Sequence, residues 1–253
     1  MKDTLITIAR EAGAEILKIY HDTDFSKVVD FKADDSPLTL ADTASHKVIA
    51  ARLAKHFPDI PILSEEGQQK EYAVRSQWKR FWLVDPLDGT KEFIKRNGDF
   101  TVNIALIEEN RPVLGVIFAP THDTVYAAFP ETGAFKQVGE QPSQALHVNQ
   151  KTENCVAVVS RSHASPEDQH VLSNYDVKET VSVGSSLKFC LVAEGTADLY
   201  FRSGPTMEWD TAAGQAILEH AGGSMSRIDG TPFRYNKESL LNPGFICKGW
   251  AEQ

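Results

Sequence analysis

Residues 82–90 of this chain of 253 residues read WLVDPLDGT, an apolar run that ends in two aspartates separated by Pro86 and Leu87. The run predicts a buried β-strand that delivers Asp85 and Asp88 to one edge of the core. Asp, Pro and Gly are also favoured in turns because of their backbone geometry, so this stretch alone leaves a simple turn open. The rest of the chain decides between a turn and a site.

Two further acid clusters lie beside apolar segments. SEEG at 64–67 places Glu65 and Glu66 after a strand-like run, and MEWDTAAG places Glu208 and Asp210 before an apolar helix. A solvated turn and a helix cap would explain each cluster alone. Strand ends, however, are where sites form in layered α/β sheets, and converging carboxylates repel one another unless a cation lies between them. Oxygen ligands without His or Cys favour Mg²⁺, Mn²⁺ or Ca²⁺.

The residues around the two aspartates favour the metal interpretation. Pro86 restricts the backbone so that the Leu87 carbonyl and both carboxylates point the same way, Gly89 permits a sharp bend, and Thr90 adds a hydroxyl. Other motifs are excluded. The stretch lacks the alternation and final Glu of an EF-hand loop, and the chain has no P-loop. Aspartyl-phosphate phosphatases space their two aspartates one residue closer.

Apolar spacing predicts the surrounding elements. The first twenty residues carry the stripe of an amphipathic helix, and Thr39 caps a second helix that stops before Pro58. Asp42 then lies in a first turn, where the helix dipole favours a carboxylate, so a simple cap is its ordinary interpretation. The apolar face of this second helix is predicted to hold Ala44, Val48 and Ala51.

The remainder of the chain divides into two patterns. Strand-like runs at 100–136, with the turn signal EENRP between two of them, predict an antiparallel meander. From about residue 150, strands and helices alternate. The sequence therefore predicts a mixed α+β and α/β protein with two subdomains that meet near residue 150.

Composition limits the function classes. The chain is 42% hydrophobic and 24% charged, which is ordinary for a globular protein. Its net charge of -9 opposes binding to a nucleic-acid polymer, whereas a small phosphorylated ligand stays open because a bound cation reverses the local field. Three scattered cysteines predict reduced thiols. Without a signal-like or membrane-spanning apolar stretch, the protein is predicted to be cytoplasmic.

SEEG, WLVDPLDGT and WDTAAG, in this order, resemble the inositol monophosphatase superfamily of Mg²⁺-dependent, lithium-sensitive phosphatases over nearly the whole chain. Residues 84–107, SRSH at 160–163, GSSLKFCLVAEG at 184–195 and the ending LNPGF resemble its bacterial 3'(2'),5'-bisphosphate nucleotidase branch, the sulfate-assimilation type. The resemblance implies a layered α-β-α-β-α sugar-phosphatase fold. Residues 1–150 would carry most metal ligands, and residues 151–253 would carry Asp210 and the nucleotide-binding loops.

The resemblance also implies an activity, the hydrolysis of adenosine 3',5'-bisphosphate to AMP and phosphate, with 3'-phosphoadenosine-5'-phosphosulfate open as a second substrate. Two or three Mg²⁺ ions per site are implied, with Mn²⁺ as a substitute and Li⁺ and Ca²⁺ as inhibitors. A phosphatase acting on inositol phosphates or a sugar bisphosphate, and a non-catalytic metal-binding module, stay open as alternatives. So does the choice between monomer and homodimer. Members of this branch are sometimes placed at the cytoplasmic face of the inner membrane.

Site residues follow from the matching motifs. The implied metal ligands are Glu65, Asp85, the Leu87 carbonyl, Asp88 and Asp210. Asp42 and Thr90 would orient and deprotonate the attacking water, with Glu65 as a further catalytic residue. The implied substrate contacts are Gly89, Thr90, Ser160, Arg161, His163, Gly184, Ser185, Lys188 and Asp210.

Two physical expectations accompany these residues. The helix predicted after Gly184 offers a seat for the second phosphate, with Lys188 as its counter-charge. The small residues Ala212, Ala213 and Gly214 are expected to let the backbone of their helix approach the other phosphate.

Overall fold

The structure is a computed structural model that describes residues 1–22, 29–31, 37–161 and 166–251. Its helices are α1 (Lys2–Tyr20), α2 (Leu40–His56), α3 (Tyr72–Arg75), α4 (Thr90–Ile94), α5 (Pro166–Leu172), α6 (Leu187–Ala193) and α7 (Glu208–His220). Its strands are β1 (Val29–Phe31), β2 (Pro37–Thr39), β3 (Ile62–Ser64), β4 (Arg80–Asp88), β5 (Thr101–Glu108), β6 (Arg111–Ala119), β7 (Thr124–Phe129), β8 (Gly133–Val138), β9 (Gln144–Ala145), β10 (Cys155–Ser160), β11 (Val177–Val183), β12 (Leu199–Arg202), β13 (Ser224–Arg227) and β14 (Phe245–Lys248).

A seven-stranded sheet has the strand order β3-β4-β5-β6-β7-β8-β9. Strands β4 to β9 are joined by antiparallel ladders, and β3 lies parallel to β4. The predicted meander is therefore confirmed. Its first turn uses Glu109 and Asn110, both at positive φ, as a tight hairpin between β5 and β6 requires. The WLVD run lies in β4 and is buried, as its apolar sequence predicts.

A five-stranded sheet has the order β11-β10-β12-β14-β13 and begins after residue 150. Strand β10 is parallel to both β11 and β12, which confirms the predicted alternation of strands and helices. Helix α7 belongs to this half by sequence but packs on β6 of the other sheet. One buried cluster joins Ile117 of β6 with Tyr200 of β12. The two subdomains stay a prediction, with the change of sheet falling between β9 and β10.

The two N-terminal helices differ in how well the sequence predicts their faces. In α1 the predicted stripe of Leu5, Ala9, Ala12, Ile16 and Ile19 is buried, except that Ile19 is only partly buried. In α2 the predicted face is wrong, because Ala51 is exposed and the buried positions are instead Ala41, Asp42, Ser45, Ile49 and Leu53. The buried face of α2 therefore includes a polar contact, in which the Ser45 hydroxyl donates to the Pro86 carbonyl at 2.7 Å.

The small residues of α7 serve packing inside the protein, and the expectation that Ala212, Ala213 and Gly214 let the helix backbone approach a phosphate stays a prediction. A Cβ built on Gly214 would lie 2.3 Å from Phe189 of α6, and one built on Gly115 of β6 would lie 2.5 Å from the Ala213 carbonyl oxygen. Helix α7 is thus wedged between α6 and the seven-stranded sheet. This packing places Asp210, in the first turn of α7, where the two sheets meet.

Within the described residues, no helix combines the length and the apolar character needed to cross a membrane.

Candidate active site

The acidic loop, residues 85–90, lies at the end of β4 and contains a β-bulge. Asp85 pairs with Asn103 and Asp88 pairs with Thr101, so one extra residue stands on the β4 side of the ladder. A bulge bends its strand and redirects side chains. Here the Leu87 N–H donates to Asp85 Oδ1 at 3.0 Å. The loop is therefore more than a turn, because it turns two carboxylates towards one opening.

Gly89 is required by this geometry. Its φ is +92°, and an added Cβ would lie 2.9 Å from the carbonyl oxygen of Asp99. A residue with a side chain would be strained by both its backbone conformation and this contact.

The acidic loop opens onto a cavity of about 320 Å³. Acids from three separate motifs line the cavity: Glu65 from the turn after β3, Asp85 and Asp88 from the acidic loop, and Asp210 from the first turn of α7. The other predicted residues that line it are Leu87, Gly89, Thr90, Ser160, Ser185 and Lys188. Glu92 lines it as well and was missed, because Lys-Glu-Phe after the loop reads as an ordinary helix start.

Burial and mutual repulsion shift these acids together. Burial raises the pKa of Asp85 well above its ordinary value, and the charges of Glu65, Asp88 and Asp210 raise it further. The pKa of Asp210 is raised for the same reasons, burial first and then Asp88 and Glu65. Such a cluster is stabilised by a cation.

The chemistry of these donors suits a divalent cation. All are oxygen atoms, from carboxylates and from the Leu87 carbonyl, which suits Mg²⁺. In the part of the chain that the structure describes, no three Asp, Glu, His or Cys side chains form a finished metal-binding group. The donor set therefore fits the ion, and the donor side chains line one cavity.

Polar and cationic side chains from other segments surround Asp88. Burial raises its pKa, whereas Lys188, Ser186 and Asn103 lower it. The Ser186 hydroxyl donates to Asp88 Oδ2 at 2.6 Å, and the Asn103 amide donates to Ser186 Oγ at 2.8 Å. Asn103 was missed by the sequence analysis. Its signal was available, since it is a buried polar residue in the middle of the apolar strand β5.

Asp42 caps α2 and also reaches the site. Its Oδ2 accepts the Thr39 N–H at 2.8 Å, while its Oδ1 accepts the Thr90 hydroxyl at 3.4 Å. Burial, followed by the charges of Glu66 and Glu65, raises the pKa of Asp42 to about 6 despite the bonds from Thr39. The cap and the predicted pairing with Thr90 therefore coexist, because the two oxygens face different ways.

Two cationic side chains also line the cavity. Lys188 lies in the serine turn, residues 184–188, and Arg202 lies at the end of β12; both face the same cavity as the acids. The Lys188 ammonium donates to the Ser185 carbonyl at 2.6 Å. Burial lowers the pKa of Lys188, and the charge of Asp88 opposes that shift. Arg202 was missed, although a charged residue ending an apolar strand is the signal that revealed the acids.

Two predicted contacts lie outside the cavity lining. The Arg161 guanidinium forms an ion pair with Asp99, with Nη2 3.0 Å from Oδ2. The Gly184 N–H donates to the same oxygen at 3.0 Å. His163 lies outside the described residues.

Comparisons with known proteins agree with this arrangement. The chain matches the family model described as the inositol monophosphatase family over residues 1–252. It is 50% identical over 246 residues to the 3'(2'),5'-bisphosphate nucleotidase CysQ of Shigella flexneri, covering 97% of this chain and 98% of that protein.

Solved structures give the same relationship. The crystal structure of CysQ from Bacteroides thetaiotaomicron, a bacterial member of that family, matches with a TM-score of 0.86 at 44% identity, covering 99% of this chain and 98% of that one. An IMPase from Thermotoga maritima shares the fold, with a TM-score of 0.79 at 24% identity over 98% of this chain and 91% of that one.

Proposed function

The chain belongs to the inositol monophosphatase family, and we propose that within it this protein is a 3'(2'),5'-bisphosphate nucleotidase. One observation carries the proposal: a single cavity is lined by the acids Asp85, Asp88 and Asp210 and also by the cations Lys188 and Arg202. A substrate with two phosphates needs both, a metal-binding surface for the phosphate that is cleaved and a cationic surface for the one that is kept. The reaction is hydrolysis of adenosine 3',5'-bisphosphate to AMP and phosphate, and 3'-phosphoadenosine-5'-phosphosulfate is a second proposed substrate.

The family is generally Mg²⁺-dependent. In this chain Glu65, Asp85, the Leu87 carbonyl, Asp88 and Asp210 would hold the ions, two or three in number, with Mn²⁺ as a substitute and Li⁺ and Ca²⁺ as competitors. When bound, Mg²⁺ lowers the pKa of water and neutralises charge that develops on the phosphoryl oxygens.

Asp42 and Thr90 orient and deprotonate the attacking water in this proposal. The Thr90 hydroxyl lies 3.4 Å from both Asp42 Oδ1 and the Leu87 carbonyl oxygen. When it donates to Asp42, the lone pairs of Thr90 Oγ1 can accept a hydrogen bond from the attacking water. Proton loss from the water then transfers a proton through Thr90 to the Asp42 carboxylate. A pKa of about 6 keeps Asp42 ionised near neutral pH, yet close enough to that pH to accept a proton.

The second phosphate lies against Lys188 and Arg202. Both side chains are largely buried, at 7% exposure each, so a phosphate would meet them in a poorly solvated place where charge-assisted hydrogen bonds are strong. Ser185 and Ser160 line the same cavity and add hydroxyl groups. An inositol monophosphate has no second phosphate for these cations.

The test is phosphate release from adenosine 3',5'-bisphosphate and inositol 1-phosphate, assayed side by side with and without Mg²⁺. We expect the nucleotide to have the higher kcat/KM and the activity to require Mg²⁺. A tenfold preference for the inositol ester would overturn the nucleotidase assignment. Absence of Mg²⁺-stimulated release across a panel of phosphomonoesters would instead indicate a metal-binding module without catalysis.

We also propose a cytoplasmic location. Cys155, Cys190 and Cys247 are all buried free thiols, which is typical of proteins in a reducing compartment. A small nucleotide is the proposed partner, and a nucleic-acid polymer stays excluded by the net charge of -9.

A further inference from the structure

Asp99 lies outside the cavity lining but joins three segments that surround it. Its Oδ2 accepts the Gly184 N–H at 3.0 Å, which ties it to the serine turn. The same oxygen forms the ion pair with Arg161, at the end of β10. Its carbonyl oxygen packs against Gly89 of the acidic loop so closely that a Cβ there would lie 2.9 Å away.

The serine turn has a conformation that its neighbours must maintain. Ser185 has a φ of +48°, a left-handed value that is costly for a residue other than glycine. Gly184 leaves no room for adjustment, because an added Cβ would lie 2.6 Å from Glu92 Cγ and 2.8 Å from Asp99 Cβ. The buried Asp99 carboxylate, which accepts the Gly184 N–H, therefore holds the serine turn next to the strained backbone of Ser185.

The orientation of the serine turn affects the substrate cavity through two hydrogen bonds. The Ser185 carbonyl accepts the Lys188 ammonium at 2.6 Å, and Ser186 donates to Asp88 at 2.6 Å. A shift of Gly184 would move the Ser185 carbonyl and, with it, the ammonium that faces the second phosphate.

We propose that Asp99 is a positioning residue for substrate specificity, which sets the serine turn against the acidic loop so that Lys188 meets the second phosphate. The proposal rests on the proposed bisphosphate nucleotidase function. It also assigns Arg161 a role in holding Asp99, since the guanidinium is bonded to Asp99 and to the Ser182 carbonyl at 3.2 Å.

The decisive variant is Asp99→Ala, assayed on adenosine 3',5'-bisphosphate and on adenosine 3'-monophosphate, which lacks the second phosphate. We expect the ratio of the two kcat/KM values to fall about tenfold, the equivalent of one charge-assisted contact, mostly through a higher KM for the bisphosphate. Asp99→Asn keeps an oxygen that can accept the Gly184 N–H, so its ratio should stay within about threefold of wild type. Asp59→Ala, at an exposed aspartate, is the matched control.

Equal losses on both substrates, or an unchanged ratio in Asp99→Ala, would overturn the proposal, because a merely structural residue does not discriminate between them. If Asp99→Ala yields no folded protein, Asp99→Ser decides by the same ratio, since its hydroxyl is too short to replace the carboxylate. Arg161→Gln should change the ratio less than Asp99→Ala, because the buried carboxylate of Asp99 would still accept the Gly184 N–H. A larger effect would make Arg161 a direct phosphate ligand and overturn the positioning role. Wild-type preference for inositol 1-phosphate would refute the proposed function separately.

Discussion

The acidic loop and the serine turn face one cavity, but different interactions hold them in place. The acidic loop has a bond of its own, from the Leu87 N–H to Asp85 at the bulge, and a further bond from Ser45 of α2 to the Pro86 carbonyl. The serine turn depends on residues from the other half of the chain, since Asp99 accepts from Gly184 and Asp88 accepts from Ser186. The residues of both segments were predicted from their motifs, whereas the dependence of the serine turn on Asp99 is visible only in the structure.

Neutralising the acidic loop should have the largest effect and should separate its two aspartates. Asp85→Asn and Asp88→Asn should each lower kcat by roughly 10²-fold or more, because both would lose a metal ligand. Without metal, Asp85→Asn should raise the melting temperature by relieving repulsion. Asp88→Asn should lower it, because the buried Lys188 would lose its counter-charge.

These effects are measured as kcat against Mg²⁺ concentration and as melting temperature in chelator, with Asp59→Asn as the exposed control. An unchanged Mg²⁺ dependence would refute the metal site. If both variants shift the melting temperature in the same direction, the proposed difference between Asp85 and Asp88 is wrong.

The next effect concerns pH. Because the pKa of Asp42 is raised from 3.8 to about 6 in the folded protein, its ionisation opposes folding. The stability of the metal-free protein should therefore fall as pH rises from roughly 4 to roughly 6, by on the order of 3 kcal/mol, and level off above that range. Asp42→Asn should abolish this part of the fall. Urea unfolding of both proteins from pH 4 to 7 measures it, and parallel curves would show that Asp42 is not the group responsible.

Removing the charge of the serine turn should have a smaller and selective effect. Lys188→Ala should lower kcat/KM for the bisphosphate about 10- to 150-fold, the equivalent of roughly 1.5–3 kcal/mol, while kcat/KM for a monophosphate should change little. Lys70→Ala, at an exposed lysine, is the control. Equal losses on both substrates would show that Lys188 serves the fold and leave the cavity without its proposed cationic side.

The smallest effect is expected where the two regions touch. Ser186→Ala removes the hydroxyl that donates to Asp88 and should lower kcat about fivefold, the equivalent of about 1 kcal/mol. Ser173→Ala, whose hydroxyl bonds only locally to the His170 carbonyl at 2.6 Å, should leave kcat unchanged. A Ser186→Ala enzyme with wild-type kcat would mean that the acidic loop does not need the serine turn.

Prediction from sequence succeeded where the signal was local. Thr39 as the cap of α2, the buried β4 and the antiparallel meander all follow from spacing and turn chemistry within a few residues. It failed for the face of α2, whose buried side includes the polar contact of Ser45 with Pro86. The role of Gly214 in packing α7 against Phe189 also came only from the structure.

The sequence by itself determined the acids, their oxygen-only chemistry and the family they resemble, because each motif is a short run whose residues act together. Only the tertiary structure decided that Arg202 lines the cavity, that Asn103 bonds to Ser186, that Arg161 pairs with Asp99, and that Asp88 differs from Asp85. The physical reason is distance along the chain. Charges and hydrogen bonds act over a few ångströms of space, and residues as far apart as 88 and 186 become neighbours only when the two sheets meet.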